Sequence, residues 1–172
     1  MSVAVRGFPL VYLKPGEFLI QGEPAAVMTV LGSCVSVTMF NPRLRIGAIC
    51  HGLLPECKDS GPCRKECGEG FRYVKCSVRL MIDHFRKAGI GSSEIEAKLF
   101  GGSDMYAPVL AEGRGATVGS MNIAAAYRIL GAENIRIVSS DTGGSQGRKI
   151  IFHPHTGDVF LKRVKRAKSR QR

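Results

Sequence analysis

Residues 26–53, AVMTVLGSCVSVTMFNPRLRIGAICHGL, decide how this chain folds. They contain three short apolar runs rich in β-branched residues, and turn residues separate the runs, so each run predicts a strand. The three runs are residues 26–31, 35–40 and 46–53. Asn41-Pro42 marks a turn between the second and third runs, so these two are expected to form an antiparallel hairpin. A hairpin brings its far ends together, and here those ends carry Cys34 and His51.

Two helices are predicted after this hairpin. Apolar residues from Val74 to Phe85 follow the spacing i, i+4, i+7, i+8 and i+11 of an amphipathic helix, and Gly89 closes it. The second helix is predicted to begin near Ser120, as its N-cap, and to end at Gly131. The residues assigned to its buried face are Ile123, Tyr127 and Leu130.

The remaining elements define the fold class. After an irregular start, further strands are predicted at residues 17–20, 95–100, 135–140, 149–152 and 159–164, the last two as a hairpin. Strands followed by helix, strand, helix, strand and hairpin favour an α+β or layered α/β fold with a mixed β-sheet and two main helices. We expect a single compact domain over residues 1–164 and a basic, disordered tail over residues 165–172.

The composition is that of an ordinary globular protein. A chain of 172 residues with an apolar share of 44% can bury a sufficient core in one domain. The apolar stretch at residues 3–13 is interrupted by Arg6 and Pro9, so it does not read as a secretory signal, and no run is long enough to span a bilayer. We therefore expect a cytoplasmic protein without membrane insertion, whose six cysteines are thiols.

The net charge of +11 is concentrated at one end, because seven basic side chains lie in residues 162–172. A solubilising terminal segment is the favoured interpretation. Binding of nucleic acid, anionic lipid or acidic partner proteins is the alternative. The sequence offers no interleaved aromatic residues and no known nucleic-acid module, so we expect no nucleic-acid partner.

Cys34 and His51 are the candidate catalytic pair. The Gly32-Ser33 turn would present the Cys34 thiol at the start of a strand. A cysteine is mostly protonated at neutral pH, so it needs a neighbouring imidazole to act as a nucleophile. The residue spacing alone leaves open the alternative of a buried cysteine and a satisfied core histidine.

Several separated segments resemble the CheD family of chemoreceptor glutamine deamidases. They are residues 29–38 (TVLGSCVSVT), 46–55 (IGAICHGLLP), 98–105 (KLFGGSDM), 119–123 (GSMNI) and 140–145 (SDTGGS). The resemblance extends from about residue 17 to residue 164, with the motifs in the family's order. It implies a protein-glutamine glutaminase, which hydrolyses glutamine side chains on methyl-accepting chemotaxis receptors to glutamate and ammonia.

The resemblance also implies roles for individual residues. Cys34 matches the nucleophile and His51 matches the base. The family's threonine that orients the histidine is expected six positions before the cysteine, where this chain has Met28. Thr29, five positions before the cysteine, is the nearest match, with Thr38 as a weaker substitute. Because strand neighbours alternate faces, this difference of one position would turn Thr29 away from His51 unless a bulge or a tighter turn precedes Gly32.

The remaining site predictions concern backbone positions and polar side chains. The substrate-binding residues expected are Gly32, Ser33, Gly101, Gly102, Thr142 and Gly143, with simple turn geometry as the alternative for the last four. Asn122 is assigned to the start of a helix, and His153 and His155 to a solvated turn. No cofactor and no metal are expected.

A cysteine-rich loop follows the hairpin, with Cys57, Cys63, Cys67 and Cys76. The spacings do not match the paired pattern of a structural zinc site, so unrelated thiols are the favoured interpretation. Bound zinc or an oxidisable loop is the alternative.

A regulatory module is the alternative to the enzyme. In that hypothesis the chain docks on a CheC-type chemotaxis phosphatase and its catalysis is secondary or vestigial. The expected partners are thus chemotaxis receptors and, in addition, a CheC-type phosphatase, and we expect a monomer.

Overall fold

A computed structural model describes residues 4–5, 7–57, 70–104 and 115–164 of the chain. Within them lie ten strands and two α-helices. The strands are β1 (Ala4–Val5), β2 (Phe8–Tyr12), β3 (Phe18–Gln21), β4 (Ala26–Leu31), β5 (Val35–Asn41), β6 (Ile46–Cys50), β7 (Glu96–Gly101), β8 (Arg136–Thr142), β9 (Gly147–Phe152) and β10 (Val159–Val164). The helices are α1 (Val74–Lys87) and α2 (Val118–Ala132), and short 3-10 turns lie at Gly70–Arg72 and Ser92–Glu94.

The strands divide into two five-stranded sheets. The first has the order β1-β2-β4-β9-β10 and the second the order β3-β6-β5-β7-β8. Both sheets are mixed, because β2 pairs with β4 and β7 pairs with β8 in parallel while the other pairs are antiparallel. The predicted α+β fold with mixed pairing and two helices is confirmed, with the strands shared between two sheets.

The antiparallel hairpin predicted across Asn41-Pro42 is confirmed as β5 and β6. Thr38 pairs with Ile49, and the same register continues to an isolated bridge between Val35 and Gly52. The preceding strand, β4, has the predicted bounds but belongs to the first sheet. The chain therefore crosses from one sheet to the other between β4 and β5, and Cys34 lies at this crossing.

Helix α1 buries the predicted apolar stripe against the second sheet and α2. The stripe consists of Val74, Val78, Met81, Ile82 and Phe85, all at most 3% exposed. A smaller apolar cluster joins residues of both sheets, including Val27 and Leu31 of β4 and Ile49 of β6. Thr29 lies between Val27 and Leu31 on the inward face of β4, so this hydroxyl is held in the cluster between the sheets.

Helix α2 differs from its prediction at both ends and on its buried face. Its N-cap is Thr117, whose hydroxyl accepts the Ser120 N–H at 3.2 Å, and the helix passes through Gly131 to its last residue. Tyr127 is 42% exposed. The buried residues are Gly119, Asn122, Ala125, Ala126, Ile129 and Leu130. The first residue of this face has no side chain because the backbone of Gly119 lies against the Gly102 carbonyl. A Cβ on residue 119 would lie 2.6 Å from that carbonyl oxygen.

Two further predictions are corrected near the first sheet. The start of the chain is not irregular, because β2 pairs in parallel with β4 despite Pro9. His153 and His155 are buried rather than solvated, since both rings pack against Phe8 of β2. No helix in the described part of the chain is long and apolar enough to cross a membrane.

Candidate active site

The Cys34 turn is held by the end of β7. The Gly102 N–H donates to the Cys34 carbonyl at 2.8 Å, and the Ser103 N–H donates to the Gly32 carbonyl at 2.8 Å. The Cys34 side chain itself is half-buried. The turn is thus fixed by its backbone, while part of the thiol side chain remains accessible.

Gly101 and Gly102 are packed where no side chain fits. A Cβ built on Gly101 would lie 2.2 Å from the Cys34 carbonyl oxygen, and the residue has φ +102°. A Cβ on Gly102 would lie 2.5 Å from the Ile123 side chain. These glycines therefore support the Cys34 turn and its packing on α2. Whether they also contact substrate stays a prediction.

His51 follows the last residue of β6, and its backbone is tied to the segment before β3. Its N–H donates to the Glu17 carbonyl and its carbonyl accepts the Gly16 N–H, both at 2.9 Å. Its Nδ1 lies 2.7 Å from the Thr29 hydroxyl oxygen. That hydroxyl donates its one hydrogen to the Leu13 carbonyl at 2.8 Å. The network therefore assigns the ring proton to Nδ1, which donates to Thr29, and leaves a lone pair on Nε2.

The Nε2 atom of His51 is buried and has no hydrogen-bond partner among the described residues. Because Val35 pairs with Gly52, Ser36 lies opposite His51 in the antiparallel ladder. Cys34 lies two positions before Ser36, so the two side chains point to the same face. Cys34 is therefore a diagonal neighbour of His51, and such neighbours are about 7–8 Å apart between Cα atoms in a regular ladder. The unbonded nitrogen and the thiol thus belong to one face of the sheet.

Burial keeps both groups neutral. It lowers the pKa of His51 to about 4, against smaller opposing effects of the Leu13 carbonyl and the Glu17 carboxylate. It also raises the pKa of the Cys34 thiol, against a smaller effect of its own backbone N–H. In the folded protein Cys34 is therefore a thiol and His51 a neutral imidazole at neutral pH.

The odd offset between Thr29 and Cys34 is accommodated by the crossing between sheets. The alternation of side chains along β4 stops at Leu31, where the strand ends. It starts again independently in β5, which belongs to the other sheet. Thr38 lies further along β5, opposite Ile49, and the hydroxyl that meets His51 is that of Thr29. The catalytic roles of Cys34, His51 and Thr29 stay predictions at this point.

The loop after β8 lies at the same end of the second sheet. Thr142 pairs with Gly101, and the Gly143 N–H donates to the Gly101 carbonyl at 2.9 Å. Gly143 and Gly144 both have φ +71°, and a Cβ on either would meet open space. This loop therefore forms an open edge beside the Cys34 turn. Substrate binding by Thr142 and Gly143, which the sequence predicts, requires such an opening.

Arg148 is a site-supporting residue that the sequence analysis missed. Although only 1% exposed, it donates from Nη1 to the Ser103 hydroxyl at 2.6 Å and from Nη2 to Asp141 at 2.7 Å. Arg163 donates to the same Asp141 carboxylate at 2.8 Å. Arg148 precedes the strand predicted at residues 149–152 and is followed by Lys149, so no local pattern marked it as buried. The Arg148 side chain ties Ser103, in the loop after β7, to Asp141 of β8, because a buried guanidinium must be paired.

Asn122 was assigned to a helix start, and this is wrong. It lies past the first turn of α2, fully buried, and its side chain bonds to distant backbone. Its Nδ2 donates to the Ser33 carbonyl at 3.0 Å and to the Leu53 carbonyl at 2.9 Å. A polar residue on the small buried face of α2 was the signal that could have revealed it.

The chain is similar to known proteins over most of its length. The family model described as CheD chemotactic sensory transduction matches residues 53–163. This chain belongs to the CheD family. The match begins two residues after His51, so neither Cys34 nor His51 lies within it.

Two full-length CheD relatives illustrate the similarity. The chain is 46% identical over 161 residues to "Probable chemoreceptor glutamine deamidase CheD 2" of Geobacter sulfurreducens, with 94% of each chain covered. It is 39% identical over 165 residues to "Probable chemoreceptor glutamine deamidase CheD" of Maridesulfovibrio salexigens, with 91% of this chain and 92% of the relative covered. Since less than a tenth of this chain lies outside either alignment, residues 29–51 lie inside both.

Among solved structures, the CheD fold of this chain is similar to the hypothetical protein YfiH of Bacillus licheniformis. The TM-score is 0.50 at 12% identity, over 74% of this chain and 51% of that chain. This likeness concerns the fold alone.

The cysteine-rich loop of this CheD chain is described only at its ends. The Sγ atoms of Cys57 and Cys76 lie 3.8 Å apart, while Cys63 and Cys67 lie outside the described residues. Residues 7–57, 70–104 and 115–164 contain no group of three or more side chains able to hold a metal ion. The choice between unrelated thiols, zinc and an oxidisable loop therefore stays with the sequence-based hypotheses.

Proposed function

We propose that this chain is a protein-glutamine glutaminase that converts glutamine side chains of methyl-accepting chemotaxis receptors to glutamate, with release of ammonia. The names of its CheD relatives support the reaction and the substrate. The structural observation that carries the chemistry is the environment of His51. One ring nitrogen is bonded to Thr29, and the other is buried and unbonded on the face that carries Cys34.

The first half of the reaction forms a thioester. The Cys34 sulfur attacks the carbon of the glutamine carboxamide while the thiol proton passes to Nε2 of His51. The carbonyl oxygen becomes an oxyanion, for which the backbone N–H groups of Ser33 and Cys34 are the proposed donors. Protonated His51 then gives its proton to the departing nitrogen, which leaves as ammonia.

The second half restores the enzyme. A water molecule gives a proton to Nε2 of His51 and attacks the thioester carbon. The carbon–sulfur bond breaks, the proton returns from His51 to the Cys34 sulfur, and glutamate is released. Thr29 holds Nδ1–H throughout, so that Nε2 is always the nitrogen that exchanges the proton.

The test is ammonia release, with a mass gain of about one dalton per site, on a receptor cytoplasmic fragment. We expect Cys34→Ala and His51→Ala to abolish both signals while remaining folded. Cys50→Ala is the matched control, because this neighbouring thiol is fully buried and its burial raises the pKa to about 12. Equal modification by the intact protein and the Cys34 variant would contradict the proposal.

Location, oligomeric state and a second partner are further parts of the proposal. We propose a cytoplasmic monomer, since the predicted substrate region of the receptors is cytoplasmic, and a docking interaction with a CheC-type phosphatase. Light scattering of the purified chain tests the monomer, and co-elution with a CheC-type phosphatase tests the docking. Equal receptor modification by the intact protein and its Cys34 and His51 variants, or none by any of them while phosphatase binding persists, would favour the regulatory module.

A further inference from the structure

Asn122 joins the two chain segments that carry the reacting side chains. Its Nδ2 donates to the carbonyl of Ser33, the residue before Cys34, and to the carbonyl of Leu53, two residues after His51. We propose that Asn122 is a positioning residue that fixes Cys34 relative to His51. The inference rests on the proposed function for its catalytic meaning, but its geometric content concerns the thiol and the imidazole alone.

The ladder between β5 and β6 ends where Asn122 acts. Val35 and Gly52 exchange both backbone hydrogen bonds, at 3.0 and 2.9 Å. In a regular antiparallel ladder the next such pair would join Ser33 to Leu54. Instead, the Leu54 N–H donates to the Arg72 carbonyl at 3.1 Å, so the two strands separate. Asn122 bridges the separating ends and replaces the missing ladder bond.

Three successive carbonyls of the nucleophile turn receive hydrogen bonds from other elements. Those of Gly32 and Cys34 are bonded by the backbone N–H groups of Ser103 and Gly102. The carbonyl between them, that of Ser33, is bonded by Asn122. Only this third bond comes from a side chain, so it is the one that a substitution can remove without altering the backbone course.

The chemistry of the carboxamide fits this position closely. An NH₂ group has two hydrogens, and both are used on carbonyl oxygens. The orientation of the amide follows, because the reverse orientation would place its oxygen against two other oxygens. Asn122 Oδ1 is buried and unbonded among the described residues. A helix face built for stability alone would be apolar here, which favours a role in holding the site.

The test uses iodoacetamide alkylation of Cys34, followed by the mass of the Cys34 peptide across pH, in the full chain. In Asn122→Ala, which leaves both carbonyls unbonded, we expect the alkylation rate at neutral pH to fall about 10- to 100-fold, because small displacements of paired reacting groups have effects of this size. Asn122→Asp should fall further, since its carboxylate faces two carbonyl oxygens. On the receptor fragment, kcat should fall by a similar factor with KM unchanged.

Ser77→Ala is the matched control, because the Ser77 hydroxyl is also buried in a helix and donates to a carbonyl outside that helix, that of Phe71, at 2.9 Å. It should lower stability while Cys34 alkylation stays at the parent rate. Alkylation of folded Asn122→Ala at the parent rate, or an equal fall in Ser77→Ala, overturns the inference. If Asn122→Asp does not fold, Asn122→Ala carries the test. If Cys34 is alkylated more slowly in Asn122→Ala but the parent protein releases no ammonia from the receptor fragment, the glutaminase is refuted and the positioning role remains.

Discussion

Two buried histidine sites in this protein show what distinguishes a candidate catalytic imidazole from a structural one. His51 and His153 both use Nδ1 for a short hydrogen bond, at 2.7 Å to the Thr29 hydroxyl and at 2.9 Å to the Ala25 carbonyl. Both acceptors belong to β4 or the residue just before it. One strand thus orients both rings, and burial with a fixed tautomer is common to the two sites.

The difference lies on the other side of each ring. His51 leaves Nε2 buried and unbonded among the described residues, on the face of the second sheet on which Cys34 lies. The ring of His153 packs instead among Phe8, His155 and Phe160, with ring centroids 5.4 to 5.7 Å apart. A buried histidine therefore becomes a candidate base through what its second nitrogen can reach, and burial alone does not distinguish the two sites.

The largest expected difference between the two sites is in turnover. We expect His51→Ala to lower kcat for glutamine deamidation by about 10²- to 10⁴-fold, the usual contribution of a positioned general base. His153→Ala removes a buried ring and should reduce stability, but its kcat in the folded fraction should match that of the parent. Ammonia release and thermal unfolding, measured on both variants, check this. Equal losses of kcat would mean that His51 acts only through packing.

The second expected effect is on stability as a function of pH. Because the pKa of His51 is about 4 in the folded protein and near 6.5 in an unfolded chain, the unfolded state binds the extra proton first as pH falls. Stability should be unaffected by this group above pH about 6.5 and should decrease below it, by up to about 3 kcal/mol at pH about 4.

Urea unfolding of the parent and of His51→Gln between pH 7 and pH 4.5 measures this effect. The variant lacks the titrating ring, so its free energy of unfolding should fall less steeply with acid, while the contributions of all other groups are shared. Parallel curves for the two proteins would show that the His51 ring is not held neutral.

A third expected effect compares two glycines at the same end of the second sheet. In Gly101→Ala the new Cβ would meet the Cys34 carbonyl at 2.2 Å, so the nucleophile turn must shift, and kcat should fall about 100-fold. Gly143→Ala meets open space and carries only the strain of its φ of +71°, so it should lose about 1–2 kcal/mol of stability, and its predicted contact with substrate should appear in KM rather than in kcat. Kinetics with circular dichroism distinguishes the two, and similar kinetics would contradict the tight packing beneath Cys34.

The sequence was sufficient where neighbours along the chain determine the structure. The apolar stripe of α1 and the hairpin of β5 and β6 follow from local spacing, and the hairpin alone brought Cys34 near His51. It was insufficient where two sheets or two loops meet. The bond from Asn122 to Ser33 spans 89 positions, and no periodicity marks such a pairing.

The same limit explains the errors on the first sheet. The burial of His153 depends on Phe8, and β2 was not predicted because Pro9 weakens its strand signal. The position of Thr29 relative to His51 depends on the crossing between the sheets, which residue parity within a strand does not describe.

The smallest expected effect, and the one that separates orientation of His51 from its chemistry, is that of Thr29. Thr29→Val keeps the shape but removes the acceptor of the Nδ1–H, so the ring can exchange tautomers and kcat should fall about 10-fold, a part of what a positioned base supplies. Thr29→Ser retains the hydroxyl and should stay near the parent, because its oxygen can still bridge Nδ1 and the Leu13 carbonyl. If valine and serine behave alike, the hydroxyl is unnecessary and burial alone holds the imidazole. If only valine loses activity, the comparison of the two histidines sharpens to a single point: a hydroxyl acceptor on β4 sets the tautomer, which leaves a lone pair on Nε2 for the proposed proton transfer from Cys34.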